Sequence, residues 1–550
     1  MPGMARALRP KAFLLAAIVF SAIIPTAAQV IQPNNSSAEK TTVTGTVINS
    51  ETKEPIRGAL VEMAGFAKLT DDKGAFSFQD VPRMSASIGA QKPGYFDERQ
   101  VSRPYRQPKM IDVAPGMQPL TVDLIPEGIV FGQINSSDGE TPEGVTVTLV
   151  AFGIQEGRRA ETQRFNTRTD DQGRFRIANL IPGTYYLSAG PSSTVEVIPA
   201  SAPRTPPTVM GYSFIYYPSS PDLANATPIE ITPGKHFEAQ LSIPRVPFFP
   251  ISGTVSGVNP GQNLILQFEG SSGNFAGGGF TWNIRTGIFR SNPMPAGTYT
   301  VRATARDNRP MATPGDALPS FTARVEVNLN SNTPGLHLAL APAKTIPINI
   351  VIDPTSQQDI PQYSPVMPAI FPVNPDPGRT MNRGFSMIGG PGKQKFTLPD
   401  LDPGRYQVEF RPNGNFYAAS ATFGNVDLLR DDLVIGSDSN AEAIDVLVRD
   451  DGGSLKATIA AMGDKSQFTV FAVSEQYPRS IALSFTGQDG MANFWGLAPG
   501  GYKVFALDNA DNLEYRKPGA LDIFLLRASQ ITVAPKHEAA VSVALIHREN

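Results

Sequence analysis

The chain contains no cysteine in 550 residues. Disulfides, thiolate metal sites, cysteine nucleophiles and the lipidated cysteine of a bacterial lipoprotein are excluded together, so every folded unit must stand on packing alone. Charge is also sparse: the formal net charge is −3 and no long basic or acidic block occurs, so the electrostatic footprint of a nucleic-acid binder is missing. The densest basic stretch, Arg158, Arg159 and Arg164, encloses Glu161 and reads as a solvated strand or loop. None of the four histidines, His236, His337, His537 and His547, has Glu three residues on, and no Gly-x-Ser-x-Gly nucleophile elbow occurs. Helical periodicity is almost absent, and no apolar stretch after the first residues is long enough to span a bilayer.

Those first residues follow another logic. Arg6, Arg9 and Lys11 precede the uncharged run Ala12 to Ile24, and Pro25-Thr26-Ala27-Ala28 supplies a break and small residues. This reads as a signal peptide over residues 1–28, cleaved after Ala28, because the run falls short of the roughly 20 residues of a spanning helix. A linker, 29–40, follows. The mature chain is expected in the periplasm, on the cell surface or secreted, with no membrane span.

Glycine and proline are abundant, 49 and 50 residues, while 41% of the chain is hydrophobic. That mixture suits many short strands joined by turns, and the length requires several cores. An internal repeat sets their spacing. Thr169-Asp170-Asp171-Gln172-Gly173-Arg174-Phe175-Arg176-Ile177 with Leu180, Pro182-Gly183 and Tyr185 aligns with Thr486 through Gly490, Phe494, Leu497, Pro499-Gly500 and Tyr502. Looser copies run Gly287, Phe289, Met294, Gly297, Tyr299 and Phe396, Leu398, Leu401, Pro403-Gly404, Tyr406, and an N-terminal copy keeps Thr70 to Gly74, Phe76, Phe78 and Val81-Pro82. Asp171-Gln172-Gly173 reads as a hairpin turn, with Gly74 and Gly490 in the same role. Phe175 and Ile177 alternate with Arg174 and Arg176, the period of a half-buried strand. Pro182-Gly183 reads as the centre of a type II turn with Gly183 at positive φ.

Opening strands recur at Gly45-Thr46-Val47, Gly132-Gln133-Ile134 and Gly253-Thr254-Val255, and more weakly at Ile346 to Ile352 and Leu455 to Ile459. The expected architecture is all-β: five tandem Ig-like or transthyretin-like sandwiches over 41–125, 126–244, 245–343, 344–445 and 446–550. Short, proline-containing links such as Pro244 to Pro250 imply a semi-rigid string.

The opening Gly-Thr-Val, Pro55-Ile56-Arg57-Gly58-Ala59-Leu60-Val61, the Thr-Asp-Asp-x-Gly-x-Phe turn and Leu-x-Pro-Gly-x-Tyr resemble the carboxypeptidase regulatory-like domain family, small transthyretin-like sandwiches similar in look to starch-binding-like folds. The resemblance is good over 41–125 and 126–244, fair over 446–550 and weak between. It implies an exported, non-catalytic module that tethers, spaces or binds, with carbohydrate or cell-envelope glycan as ligand.

The residues themselves add little chemistry. Gly389-Gly390-Pro391-Gly392-Lys393 departs from a phosphate loop, since Met387 replaces the first glycine and Gln394 the Ser/Thr. The Asp-rich turns lack a full oxygen series for calcium. No cofactor is indicated. Aromatics are the candidate binding surface: Tyr212, Phe214 and Tyr216 alternate as if on one strand face, Tyr217-Pro218 follows within a Pro/Ser-rich insertion, and Trp282 and Trp495 stand elsewhere. Such rings either stack sugars or fill a core. The expected function is a non-catalytic binding or scaffolding protein whose partner is a polysaccharide. A structural stalk contacting other envelope proteins is the alternative, and a subunit serving a separate catalytic chain is a third.

Overall fold

The structure, a computed structural model, describes residues 40–101, 110–192, 195–199, 207–270, 279–307, 320–343, 346–353, 366–373, 386–388, 395–398, 401, 403–436, 442–459, 467–487 and 489–548. Residues 1–28, read above as a signal peptide, nearly all of the expected linker 29–40, and Gly389 to Lys393 lie outside them. Among the described residues the α-helices are the short Glu98–Val101 and Asp522–Leu525, and no helix is long and apolar enough to cross a membrane.

Among the described residues one strand arrangement occurs five times. Lys40–Asn49 lies between antiparallel Ala75–Pro82 and parallel Leu120–Pro126. Gly128–Ser136 lies likewise between Arg174–Leu180 and His236–Ile243, and Ile251–Ser256 between Ile288–Ser291 and Thr333–Ala339. Ile346–Asp353 lies between Lys395–Leu398 and Ile444–Arg449, and Gly453–Ile459 between Met491–Leu497 and Glu538–Val543. A parallel neighbour requires a long crossover. Here the crossover runs through a second, antiparallel sheet, such as Val145–Gln155 paired with both Arg158–Arg168 and Gly183–Ser192. Alternating apolar side chains from the two sheets meet in a core: Val43, Val47, Phe76 and Leu124 in the first unit, and Ile134, Leu149, Phe175 and Leu187 in the second. Comparable cores centre on Phe268 and Phe289, on Ile348 and Val446, and on Val470 and Phe494. The fold is a tandem array of β-sandwiches.

The opening glycine has a steric cause. A Cβ at Gly132 would stand 1.8 Å from the Ala239 carbonyl oxygen of the parallel strand. The residues that pair in the same way in the fourth and fifth units are Ile348 and Leu455, so the opening pattern fades there.

The repeated turn is built as its residues require. Gly173 has φ +70°, and its carbonyl accepts the Ile134 N–H at 2.8 Å. The carboxylate that closes the turn is that of Asp170 rather than Asp171: it accepts N–H donors from Gln172 at 3.0 Å and Arg174 at 2.7 Å. Asp71 does the same for Lys73 and Ala75. The threonine before it is buried in all three strong copies, with the hydroxyls of Thr70, Thr169 and Thr486 each accepting a backbone N–H at 2.9 Å.

Pro182-Gly183 is not a type II turn. Gly183 begins an extended strand, and the left-handed residue of this segment is Asn179, at φ 58°, with Asp80 and Gly496 in the same state at 56° and 65°. Each sits at a register shift where the turn strand carries one extra residue, and Asn, Asp and Gly are the residues that tolerate this conformation. Gly404 also starts a strand with no left-handed φ, whereas Gly297 and Gly500 have φ 159° and 150°. The shared role of Gly-x-Tyr lies in the tyrosine. The hydroxyls of Tyr185, Tyr299 and Tyr502 each donate at 2.8 Å to the carbonyl four residues upstream, of Ile181, Pro295 and Ala498. The rings of Tyr185 and Tyr299 pass over the preceding glycines, 3.8 and 3.7 Å from where a Cβ would be.

The links are not simple spacers. Arg245–Phe249, within the Pro244 to Pro250 stretch, is a strand of a separate sheet ordered Glu196–Ile198, Thr208–Tyr212, Arg245–Phe249, Met294–Pro295. The insertion of the second unit therefore pairs, through the link, with the third. Phe248 is buried there against Gly211, where a Cβ would lie 2.8 Å from the ring, and Arg245 bonds Asp138 at 3.1 Å and also Glu196.

Candidate binding surface

The aromatic segment does not form one face. Thr208–Tyr212 belongs to the bridging sheet, the Ser213 N–H bonds the Pro244 carbonyl at 3.0 Å, and Ile215–Tyr216 joins a different sheet beside Gly183–Ser192. Alternation assumes an unbroken strand, and the chain changes sheet at Ser213. Tyr216 is 4% exposed and meets Phe214 edge-on at 5.0 Å. Tyr212 and Tyr217 pack against the second core, Tyr217 edge-on to Phe237 at 5.9 Å, and burial raises the Tyr212 phenol above its ordinary value. These rings serve internal packing and the bridge to the third unit.

The two tryptophans lie apart. Trp282 is half-buried on Phe280–Trp282 against the third core. Trp495 is 63% exposed on Met491–Leu497, paired with Gly496 in the extra-residue register shift opposite Ser454. Alternation along the strand, with Phe494 buried and Asn493 exposed, turns its side chain to solvent on the face of Asn493 and its partner Lys456, while Gly496 packs under the Gly414 and Phe416 carbonyls of the fourth unit. Among the described residues no group of three or more His, Cys, Asp or Glu is placed to hold a metal ion.

Two clusters escaped the sequence reading. The first is outward on the second unit: Phe152 and Tyr186 meet edge-on at 5.7 Å, with the Arg159 guanidinium 5.4 Å from the Phe152 ring. The inward alternation of Val145, Val147, Leu149 and Ala151 already implied that Phe152 points out. The second is a junction of three units. Glu156 and Gly157, at φ 52° and 79°, form the two-residue tip of the hairpin Val145–Gln155 and Arg158–Arg168, as a type I′ turn needs. That tip lies against the fourth and fifth units. Arg158 pairs with Glu409, donates to Gln407 at 2.8 Å and lies 3.8 Å over the Phe371 ring. Arg411 pairs with Glu156, the Gly157 carbonyl accepts the Arg516 N–H at 3.1 Å, and Tyr515 occupies the space beside Gly157. Arg516 also lies 3.5 Å from Glu409. The reading of Arg158 as solvated is thus corrected: its side chain is 15% exposed, and burial lowers its pKa. Arg159 and Arg164 remain outward, Arg164 paired with Glu161. Partners separated by 249 and 251 residues leave no mark in a local pattern.

Residues 129–195 match the family model described as the second β-sandwich domain of NOMO1-like BOS complex subunits. No curated protein matches the chain. Among solved structures, the chain is similar to the TIE protein of Bacillus anthracis at 16% identity, over 55% of this chain and 51% of that one, with a TM-score of 0.16. It therefore spans about half the length of that protein. The minor pilin GBS52 of Streptococcus agalactiae matches at 15% identity over 38% of this chain and 96% of its own, TM-score 0.20. A putative carbohydrate binding protein of Pseudomonas aeruginosa matches at 15% over 22% and 89%, TM-score 0.15.

Proposed function

We propose that the protein is an exported, non-catalytic scaffold that holds its surfaces in fixed relation and works through protein–protein contacts. Its units would be divided at 41–125, 126–244, 245–343, 344–445 and 446–550, with a carboxypeptidase regulatory-like character in the first two. The observation that carries this reading is the use of the aromatic insertion: Tyr212 and its strand bridge two units, and Tyr216 is buried. Rings so used are withdrawn from sugar stacking, whereas sheets that pair across units suit a structural part. No cofactor or catalytic group is assigned. The leader residues Arg6 to Ala28 support export.

A second reading, glycan binding, is favoured by one feature, the exposed Trp495 beside Asn493 and Lys456. Cell fractionation with chemical cross-linking, together with polysaccharide titration followed by tryptophan fluorescence, separates the two. The scaffold reading expects the protein outside the cytoplasm, cross-linked to envelope proteins, with no saturable sugar response. A cytoplasmic location contradicts it, as does polysaccharide binding abolished by Trp495→Ala.

A further inference from the structure

We infer that the hairpin tip Gln155 to Arg158 is a clasp, which docks between the fourth and fifth units to close the chain on itself and can leave without unfolding any unit. The inference goes beyond the scaffold reading and holds whatever the scaffold carries. Each unit has its own core, and none of the core residues comes from the tip. The contacts that hold the tip are polar and few: Arg158 with Glu409 and Gln407, Arg411 with Glu156, and the Arg516 N–H on the Gly157 carbonyl. The Phe371 and Tyr515 rings add apolar area.

Desolvated ion pairs return little net stability, because the loss of water offsets the attraction. This junction is also incompletely satisfied: Arg158 Nη1 and Arg516 Nε are buried and find no acceptor among the described residues. Two arginines share Glu409. A joint of this kind is specific in geometry yet weak, the property a reversible clasp needs, while the bridging sheet between the second and third units persists when it opens.

The absence of cysteine makes the test direct, since two introduced thiols are the only labelling sites. Spin labels on Asn166→Cys and Lys517→Cys in the full chain report the separation of the second and fifth units. The clasp predicts a narrow short-distance population in the parent. Arg158→Glu or Glu409→Arg alone should remove most of it, and the two together should restore it. The rim pair, Glu156→Arg with Arg411→Glu, should behave the same way, and being partly exposed carries little folding risk. Circular dichroism should stay unchanged throughout. A broad distribution in the parent, single variants that keep the short distance, or charge-swapped doubles that do not regain it each overturn the inference.

Discussion

Gly173 and Gly183 stand in the same repeat and look alike in sequence, but their backbones differ. Gly173 is left-handed, and a Cβ there would lie 2.5 Å from the Ile134 carbonyl oxygen, whereas Gly183 is extended with only the Tyr185 ring nearby. Gly173→Ala should therefore cost about 2 kcal/mol or more, and Gly183→Ala should stay within about 0.5 kcal/mol. Urea unfolding of the two variants checks this, and equal costs would sink the assignment. Tyr185→Phe should cost about 1 kcal/mol, because the Ile181 carbonyl loses its donor; an unchanged urea midpoint would contradict it.

The tyrosines of the Gly-x-Tyr segments also set an alkaline limit. Burial pushes Tyr299 up to about 12 from 10.0 and raises Tyr185 and Tyr502 in the same direction. A folded-state value above the unfolded one favours the protonated form. The resulting stability is complete below pH 10 and is lost as the pH rises to about 12. Phenolate absorbance should show Tyr185, Tyr299 and Tyr502 ionising last and only together with unfolding. A single step near the ordinary value for all 14 tyrosines would refute this. The turn chemistry was legible at this scale because a hairpin glycine and its aspartate act locally. The tyrosine hydroxyl was not, since a pattern of apolar positions carries no information about where a phenol finds its acceptor.

Elements were legible where one strand stays in one sheet. Phe175 and Ile177 alternate in the sequence and both are 5% exposed. The same rule failed for Tyr212, Phe214 and Tyr216, because sheet exchange at Ser213 breaks the period while leaving the residue types intact. The bridging strand itself is open to test. Gly211→Val should displace the Phe248 ring and cost about 2 kcal/mol by overpacking. Limited proteolysis should then cut between the second and third units while sparing their interiors. A digestion pattern identical to that of the parent protein would argue against the bridge.

At the scale of the whole molecule, the repeat in the sequence announced tandem two-sheet units, because a core can be built only from residues that recur with its strands. Contacts between units were invisible for the opposite reason: Arg158 meets Glu409 and Phe371 through folding of the entire chain, and each looks unremarkable in its own segment. A string of spacers and a braced scaffold have the same local sequence and differ only in these long-range contacts. Small-angle X-ray scattering of the full protein, recorded across protein concentrations, distinguishes them most directly. A braced scaffold gives one rigid envelope whose profile fits the second, fourth and fifth units in contact. A profile that demands an ensemble of extended strings with independently moving units would contradict it.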